Sequence, residues 1–301
     1  MSLYFIGIAA ALLGAIAHGW TNIVDNYFSD KIFKRLANLI FFSAFVNLIF
    51  LPVVLVTDFP KSIPVHLWGA LIIISLIEVF YSYPYYWSLQ RMDTSIIVSL
   101  FSIGKIFSPL LAFFIVGEHL GIIQYIGFFL IIISSVCLTF DPNKFRLNKA
   151  FLLMLIVSIL LVIQAVLYKY IFDAGVSWGS AMTWTTVLAF FISGLFVFLP
   201  KNLRDFKESS LKAKKIGWLF FFNQFLSWGG EAANTLALAL IPVSIVKGIT
   251  SIQSIFVFMF AFLFARKLPF LFKENLKENT GKKIFLLILI AIGTILITLK
   301  T

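Results

Sequence analysis

The stretch Ile103–Ser135, IGKIFSPLLAFFIVGEHLGIIQYIGFFLIIISS, decides the fold of this chain of 301 residues. It holds two apolar segments joined at Gly117-Glu118, and Lys105 lies near the middle of the otherwise uncharged run Thr94–Val116. A run of about 20 apolar residues spans a bilayer as a helix, so both segments are candidates to cross a membrane. A lysine at that depth costs at least ~2.5 kcal/mol to insert, which indicates either a functional site or a structural buried ion pair.

The composition of the whole chain is that of an integral membrane protein. Hydrophobic residues make up 61% of the sequence, charged residues 12%, and the mean hydropathy is +1.01, which excludes an ordinary soluble domain. The net charge of +11 does not indicate a nucleic-acid partner, because the basic residues lie in short loops where they orient the chain during insertion. With Cys137 as its single cysteine, no metal-ligand cluster and no nucleophile–base spacing, the sequence predicts neither a cofactor nor an enzyme.

Ten apolar segments recur along the chain between short polar or proline-containing connections, a pattern typical of a helical bundle. We therefore expect an all-α, multi-pass protein with ten transmembrane helices in one membrane domain, in the inner or plasma membrane of the cell. The predicted spans, numbered 1 to 10, are Leu3–Val24, Leu36–Val56, His66–Ser88, Thr94–Val116, Leu120–Phe140, Lys149–Phe172, Ser177–Leu199, Ile216–Leu238, Val243–Phe264 and Lys282–Leu299.

An internal repeat relates the two halves of the sequence. When Asp93–Glu118 is aligned with Pro242–Lys267, an offset of 149, eight of 26 positions are identical. Two halves of five spans each, residues 1–147 and 148–301, have opposite orientations because an odd number of crossings inverts the second copy. This predicts two inverted five-helix repeats, the plan of many secondary transporters, which bind substrate near the membrane midplane between the repeats.

Loop charges predict the orientation of the bundle. The connections after the odd-numbered spans hold 19 Lys and Arg residues, whereas the other side of the membrane holds only Lys61 and Lys300. Positively charged loops remain in the cytoplasm, so this distribution places both termini outside.

Four charged residues within the spans are the candidate centre of a binding site. Glu78 in span 3 precedes Lys105 in span 4, and Glu231 in span 8 precedes Lys247 in span 9, so each half offers one carboxylate and one ammonium group on consecutive spans. Glu–Lys pairing would lower the cost of burying both charges, which is the structural interpretation. Because intramembrane charges usually mark substrate or ion pathways, the functional interpretation is a substrate site.

Aromatic residues complete the candidate site. Tyr81 and Tyr85 follow Glu78 by three and seven residues, so all three share one face of a helix. Trp20 and Trp228 are further candidates to line the same cavity, although a lone tryptophan in an apolar helix also suits packing. Packing against other helices and contact with substrate remain alternatives for the two tryptophans.

A family resemblance follows from Phe113–Leu120 (FFIVGEHL), Gln124–Gly127 (QYIG) and the apolar run Leu130–Ile132. Apolar residues, Gly-Glu, Gln, an aliphatic residue, Gly and a second apolar helix together resemble the signature of EamA-like proteins in the drug/metabolite transporter superfamily. The resemblance implies alternating-access transport, often export, of small metabolites such as amino acids. It also implies that Gly117 and Glu118 shape the turn between spans 4 and 5 and do not contact substrate.

Two features depart from the family pattern. Arg266-Lys267 stand in the second half where Gly-Glu is expected. Relatives usually have cytoplasmic termini, whereas the loop charges predict the reverse, so the orientation stays open.

The sequence thus predicts a secondary active transporter, an exporter of small polar or zwitterionic metabolites with amino acids as the first candidates. Lys105 would hold a carboxylate, and Glu78 or Glu231 an ammonium group or a coupling proton. An exchange substrate is an alternative to the proton, and the protein would act in the bilayer as a monomer or homodimer. The alternative function is a non-transporting receptor or assembly protein in which buried ion pairs only specify helix pairing.

Overall fold

The computed structural model describes residues 2–33, 35–92, 94–139, 149–198, 200–203, 205–264, 268 and 280–299. Within these ranges every regular element is helical and no strand occurs. The predicted boundary between the halves, at residues 147 and 148, lies outside the described residues, as do Arg266 and Lys267. The helices are α1 (Leu3–Tyr27), α2 (Leu36–Ile49), α3 (Leu51–Thr57), α4 (Trp68–Leu89), α5 (Thr94–Lys105), α6 (Ser108–Val116), α7 (Ile122–Thr139), α8 (Lys149–Asp173), α9 (Trp178–Val197), α10 (Pro200–Leu203), α11 (Phe206–Lys215), α12 (Gly217–Leu240), α13 (Val243–Thr250), α14 (Gln253–Phe264) and α15 (Thr280–Thr298).

Seven helical segments among the described residues are long and apolar enough to cross a membrane, which confirms a multi-pass helical membrane protein. Two shorter apolar helices lie at predicted spans 5 and 10. Helix α12, at span 8, has 24 residues but is rich in buried and half-buried polar side chains, so it falls outside the seven. The arrangement of ten helices as an inverted repeat remains a prediction. The seven segments are Leu3–Ile32, Leu36–Thr57, Val65–Leu89, Ile96–Val116, Lys149–Asp173, Trp178–Val197 and Val243–Phe264.

Predicted spans 4 and 9 are each broken into two helices. In span 4, α5 ends at Lys105 and α6 begins at Ser108, and Pro109 supplies no backbone N–H at that position. In span 9, α13 ends at Thr250 and α14 begins at Gln253. Both breaks are closed by two consecutive hydrogen bonds of the i to i+3 type, all 3.0 or 3.1 Å long. Broken helices at membrane depth occur where the backbone is buried in protein or lines a cavity.

Helices of the first half pack mainly on helices of the second half. The most extensive contacts join α1 to α12 and α7 to α15, followed by α4 with α8. Helices α1 and α12 belong to predicted spans 1 and 8, and α8 and α4 belong to spans 6 and 3. In the predicted repeat, span 1 corresponds to span 6 and span 3 to span 8. The contact between spans 1 and 8 therefore corresponds to the contact between spans 6 and 3, as a two-fold repeat requires. The packing therefore supports the repeat.

The dipeptide Gly117-Glu118 both ends α6 and joins the two halves. Gly117 has a φ of 68°, the left-handed conformation that favours glycine, and the Glu118 N–H donates to the Ala112 carbonyl oxygen at 3.2 Å. The Glu118 carboxylate accepts hydrogen bonds from the N–H groups of Val243 (2.7 Å) and Ser244 (2.9 Å) at the start of α13. A carboxylate satisfies free N–H groups there and interacts favourably with the helix dipole. The expected turn is present, and Glu118 in addition caps a helix of the other half.

A second carboxylate makes the same kind of contact. Asp58, in the connection before α4, accepts a hydrogen bond of 2.6 Å from the Gly179 N–H at the start of α9. Both capping carboxylates come from the first half and both capped helices belong to the second. The capping contacts therefore join the two halves of the chain.

Candidate functional site

A polar cavity of about 130 Å³ lies between helices of both halves. Helices α1, α4 and α5 of the first half and α8, α12 and α13 of the second half contribute to its wall. Six of the eight residues predicted for the site line this cavity, so the structure brings together groups that are distant in sequence. They are Glu78, Tyr81, Tyr85, Lys105, Glu231 and Lys247.

The cavity wall carries charges of both signs. Glu78, Glu231 and Asp25 contribute carboxylates, and Lys105 and Lys247 contribute ammonium groups. Such a wall can oppose both ends of a zwitterion, whereas a simple anion or cation would leave part of the wall without a counter-charge.

Lys105 is the last residue of α5, and its side chain is only 8% exposed. Among the described residues it has neither a hydrogen-bond acceptor nor a carboxylate within ion-pair distance. The charge that acts on it most strongly is that of Lys247, which repels it. A buried ammonium group next to another cation, in a cavity, is a position where an anionic group of a ligand would be stabilised.

The ion pair of Glu78 with Lys105, which was the structural alternative at the level of the sequence, does not form among the described residues. Glu78 Oε2 accepts a hydrogen bond of 2.9 Å from Gln164 Nε2 of α8, and the ammonium group of Lys105 is not within pairing distance. The partner is a neutral amide from the other half of the chain. No cation neutralises the Glu78 carboxyl group at close range, and one of its oxygens is held in place by this amide.

In the second half Glu231 and Lys247 interact at longer range. His18 Nε2 lies 3.9 Å from Glu231 Oε2, and the Glu231 side chain is 35% exposed. Lys247 lies within electrostatic range of both Glu231 and Glu78. The carboxyl groups of Glu231 and Glu78 therefore both interact with Lys247 at longer range, and neither forms a close ion pair with it.

Asp25 was not predicted as a site residue. It is 6% exposed and accepts hydrogen bonds from Asn223 Nδ2 (2.8 Å) and the Tyr85 hydroxyl (3.3 Å), which link α1, α4 and α12. Tyr85 also lies 2.8 Å from Asn22 Oδ1, so its single proton is shared between two acceptors. A sequence signal was present: His18, Asn22 and Asp25 are spaced at four and three residues, which places three polar groups on one face of an apolar helix.

Of the four aromatic residues predicted for the site, two line this cavity, one lines only a neighbouring cavity, and one lines neither. Tyr81 and Tyr85 line it as expected, and Tyr86 joins them. Trp20 lines neither this cavity nor the second one described below: its ring packs edge-on against Phe260 and Phe264, at centroid distances of 5.7 Å. Of the two alternatives for Trp20, lining the cavity or packing, the structure therefore shows packing, because its ring lies against α14.

Trp228 lines a second cavity, of about 90 Å³, that adjoins the first. Its far wall is formed by α2, α9 and α12, and six residues line both cavities. The two cavities thus share a common wall, and Glu78 of α4 and Glu231 of α12 belong to it. The shared residues are Glu78, Tyr81, Tyr86, Tyr168, Ser227 and Glu231.

Comparisons with known proteins agree with this architecture. Residues 5–140 match the model of the EamA-like transporter family. No curated protein matches the chain. A crystal structure described only as that of a protein has a TM-score of 0.63 and 15% sequence identity, and the alignment covers 99% of this chain and 97% of that one. At this identity the likeness shows a shared fold.

Proposed function

We propose that this chain, of which residues 5–140 belong to the EamA-like transporter family, is a secondary active transporter that exports small zwitterionic metabolites, with amino acids as the first candidates. The observation that carries the proposal is the unpaired, buried Lys105 in a cavity between the two halves. A cation that costs free energy in the membrane and has no partner in the protein is explained if a substrate supplies the partner.

The cavity wall matches the two charges of a free amino acid. The Lys105 ammonium group would bind the substrate carboxylate, and Glu78 and Glu231 would bind its ammonium group. The faces of Tyr81 and Tyr85 would attract the same cation. Each role uses a residue that lines the cavity in the structure.

Alternating access is supported by the broken helices of spans 4 and 9 and by the two-fold packing of the halves. Breaks in corresponding spans, close to the substrate site, are typical of transporters whose two repeats move against each other. We propose residues 1–147 and 148–301 as these repeats, in the inner or plasma membrane. A coupling proton on Glu78 or Glu231, or a counter-transported substrate, would provide the driving force. Proton coupling requires that Glu78→Gln or Glu231→Gln changes the pH dependence of transport.

The structure gives less support to a receptor or assembly protein in which buried charges only specify helix pairing. That function requires close ion pairs, and neither Lys105 with Glu78 nor Lys247 with Glu231 forms a close one among the described residues.

Substrate binding should stabilise the folded protein. We expect an amino acid to raise the melting temperature of the detergent-purified protein, with ~2.7 kcal/mol of stabilisation at a hundredfold excess over the dissociation constant. Amines and carboxylates that carry only one of the two charges should have smaller effects. The measurement is a thermal-shift screen against amino acids, amines and nucleotide sugars, and a well-folded protein that no amino acid stabilises would contradict the proposal.

A further inference from the structure

Asp25 is a buried carboxyl group to which the proposed substrate site assigns no role. It lines the first cavity and is 6% exposed. Among the described residues no lysine, arginine or histidine lies within ion-pair distance of it, and its hydrogen-bond partners are two neutral side chains, Asn223 and Tyr85. An ionised carboxylate without a counter-charge is costly at such a position, whereas a neutral carboxyl group costs far less.

The hydrogen bonds around Asp25 are completed by a proton on its carboxyl group. The Tyr85 oxygen lies 2.8 Å from Asn22 Oδ1 and 3.3 Å from Asp25 Oδ2. A phenol has one proton, and the shorter contact leads to an amide oxygen that can only accept. A proton on Asp25 Oδ2 then donates to the Tyr85 oxygen, while Oδ1 accepts from Asn223 Nδ2 at 2.8 Å. The neutral form of Asp25 thus gives one continuous chain of donors and acceptors.

The same side chains can also hold the ionised form of Asp25. The Asn22 amide has an acceptor on one side and a donor on the other. A half-turn of this amide would let its N–H donate to the Tyr85 oxygen, and the phenol proton would then donate to the Asp25 carboxylate. Hydrogen bonds that can favour either form, after a small rearrangement, suit a residue that binds and releases a proton.

This chain of hydrogen bonds connects the substrate cavity to the contact between the two halves. Asn22 and Asp25 belong to α1, Tyr85 to α4 and Asn223 to α12, and α1 with α12 is the most extensive helix contact in the described part of the chain. Tyr85 is also proposed to face the ammonium group of the substrate. A change of protonation at Asp25 therefore alters one hydrogen bond at the substrate site and one between the proposed repeats.

The helices packed around Asp25 supply no close counter-charge among the described residues. Asp30 and Lys31, which follow α1, pair with each other at 3.0 Å, and the sequence of α14 contains no titratable residue. The titratable groups within electrostatic range of Asp25 on α4 are Tyr81, Tyr85 and Tyr86, and those that line the same cavity are His18 of α1, Glu78 of α4, Lys105 of α5, Tyr168 of α8, Glu231 of α12 and Lys247 of α13.

We propose that Asp25 takes up and releases the transported proton, and that Glu78 and Glu231 serve the ammonium group of the substrate. This inference rests on the proposed function, since it assumes a carrier that a proton gradient drives. The proton comes from water on one side of the membrane and returns to water on the other. The Asp25 O–H bond is the bond that forms and breaks, and protons enter the cell as substrate leaves it.

Asp25→Asn tests the proposal, because asparagine resembles the neutral carboxyl group but cannot release a proton. Its oxygen can accept from Asn223 and its NH₂ group can donate to Tyr85, so the variant should fold. Proteoliposomes report counterflow, which needs no driving ion, and accumulation of a labelled amino acid in vesicles that are more acidic inside than the medium. The amino acid used is the one that stabilises the protein most in the thermal-shift screen. We expect Asp25→Asn to lose the accumulation driven by the pH gradient and to retain counterflow above the level of protein-free vesicles.

Asp173→Asn is the matched control. Asp173 pairs with Lys169 at 2.9 Å and lines neither cavity, so this variant should keep both activities. Glu78→Gln and Glu231→Gln remove a charge from the cavity that holds Asp25. They should weaken substrate binding and shift the pH dependence of transport, but the transport that remains should still respond to the gradient.

A second variant keeps the inference testable if Asp25→Asn fails to fold. Asn223→Leu is similar in size and removes the N–H group that donates to Asp25 Oδ1. Loss of this donor favours the neutral form of Asp25 over the ionised form. The pH profile of gradient-driven transport should therefore move about one to two pH units higher.

Three results would overturn the role of Asp25: full accumulation by Asp25→Asn, loss of both activities in folded Asp25→Asn, or an unchanged pH profile in Asn223→Leu. Counterflow by the parent without accumulation in a pH gradient of either direction would also overturn it, and would leave the proposed transport function standing. Absence of counterflow with folded parent protein, for every amino acid tested, would overturn both.

Discussion

Replacing Lys105 with methionine should reduce substrate affinity about 10- to 100-fold, since hydrogen bonds to charged groups contribute ~1.5–3 kcal/mol. The same change should leave the melting temperature unchanged or raise it. Lys105 is buried without a partner, so its removal relieves the cost of a charge in the membrane and breaks no ion pair. Methionine has a similar length and fills the same space. Binding and stability are read from one thermal-shift experiment with and without amino acid.

Lys169→Met is the matched control for Lys105→Met. Lys169 also lies on an apolar helix, but its Nζ pairs with Asp173 Oδ1 at 2.9 Å, four residues away, and the residue does not line either cavity. Its replacement should leave amino-acid affinity unchanged. A strongly lowered melting temperature for Lys105→Met, or a failure to fold, would instead assign Lys105 a structural role, because breaking a buried ion pair costs ~3–5 kcal/mol.

Gly127→Val should strongly impair folding, because Gly127 lies where α7 and α15 touch backbone to backbone. A Cβ atom added at Gly127 would lie 2.6 Å from the Ile297 nitrogen and 2.7 Å from the Gly293 carbonyl oxygen. Backbone atoms of a packed helix cannot move aside as a flexible side chain can. We expect destabilisation at or above the ~1–3 kcal/mol typical of overpacking, seen as a loss of monodisperse protein in detergent.

Gly229→Val tests whether this effect is due to the contact. Gly229 lies in α12, and no atom stands within 4 Å of a Cβ atom added there. The substitution has the same intrinsic effect on helix formation and should therefore be mild. Equal losses of folded protein for both variants would show that valine disturbs any helix of this chain, and would remove the argument for a close contact of α7 and α15.

The sequence was sufficient to predict a multi-pass helical protein and six of the eight proposed site residues that line one cavity. Hydrophobic run length predicted span 4 as Thr94–Val116, and the structure has the same end residues for α5 and α6. The four charged residues of the proposed site were predicted because an ionisable residue is rare within a long apolar segment. Tyr81 and Tyr85 followed from their spacing to Glu78, which fixes a helical face without any tertiary information.

The remaining features depend on contacts between distant parts of the chain. The partner of Glu78 is Gln164, and no rule of spacing connects a glutamate in α4 with an amide in α8. The direction in which Trp20 points depends on the rotation of α1 against α14. The break after Lys105 could be anticipated from Pro109, but the break at residues 251–252 has no proline within it.

The most direct test of the central claim is counterflow in proteoliposomes, which measures exchange across the membrane without a driving ion. Vesicles that contain the purified protein are loaded with a large excess of the unlabelled amino acid that stabilises it most in the thermal-shift screen, and are diluted into the same amino acid in labelled form. We predict that label accumulates transiently above its equilibrium level, because an alternating-access carrier that releases one substrate returns with another. The same experiment with Lys105→Met should show no accumulation. Entry of label at the rate of protein-free vesicles, for every amino acid tested with folded parent protein, would contradict the account.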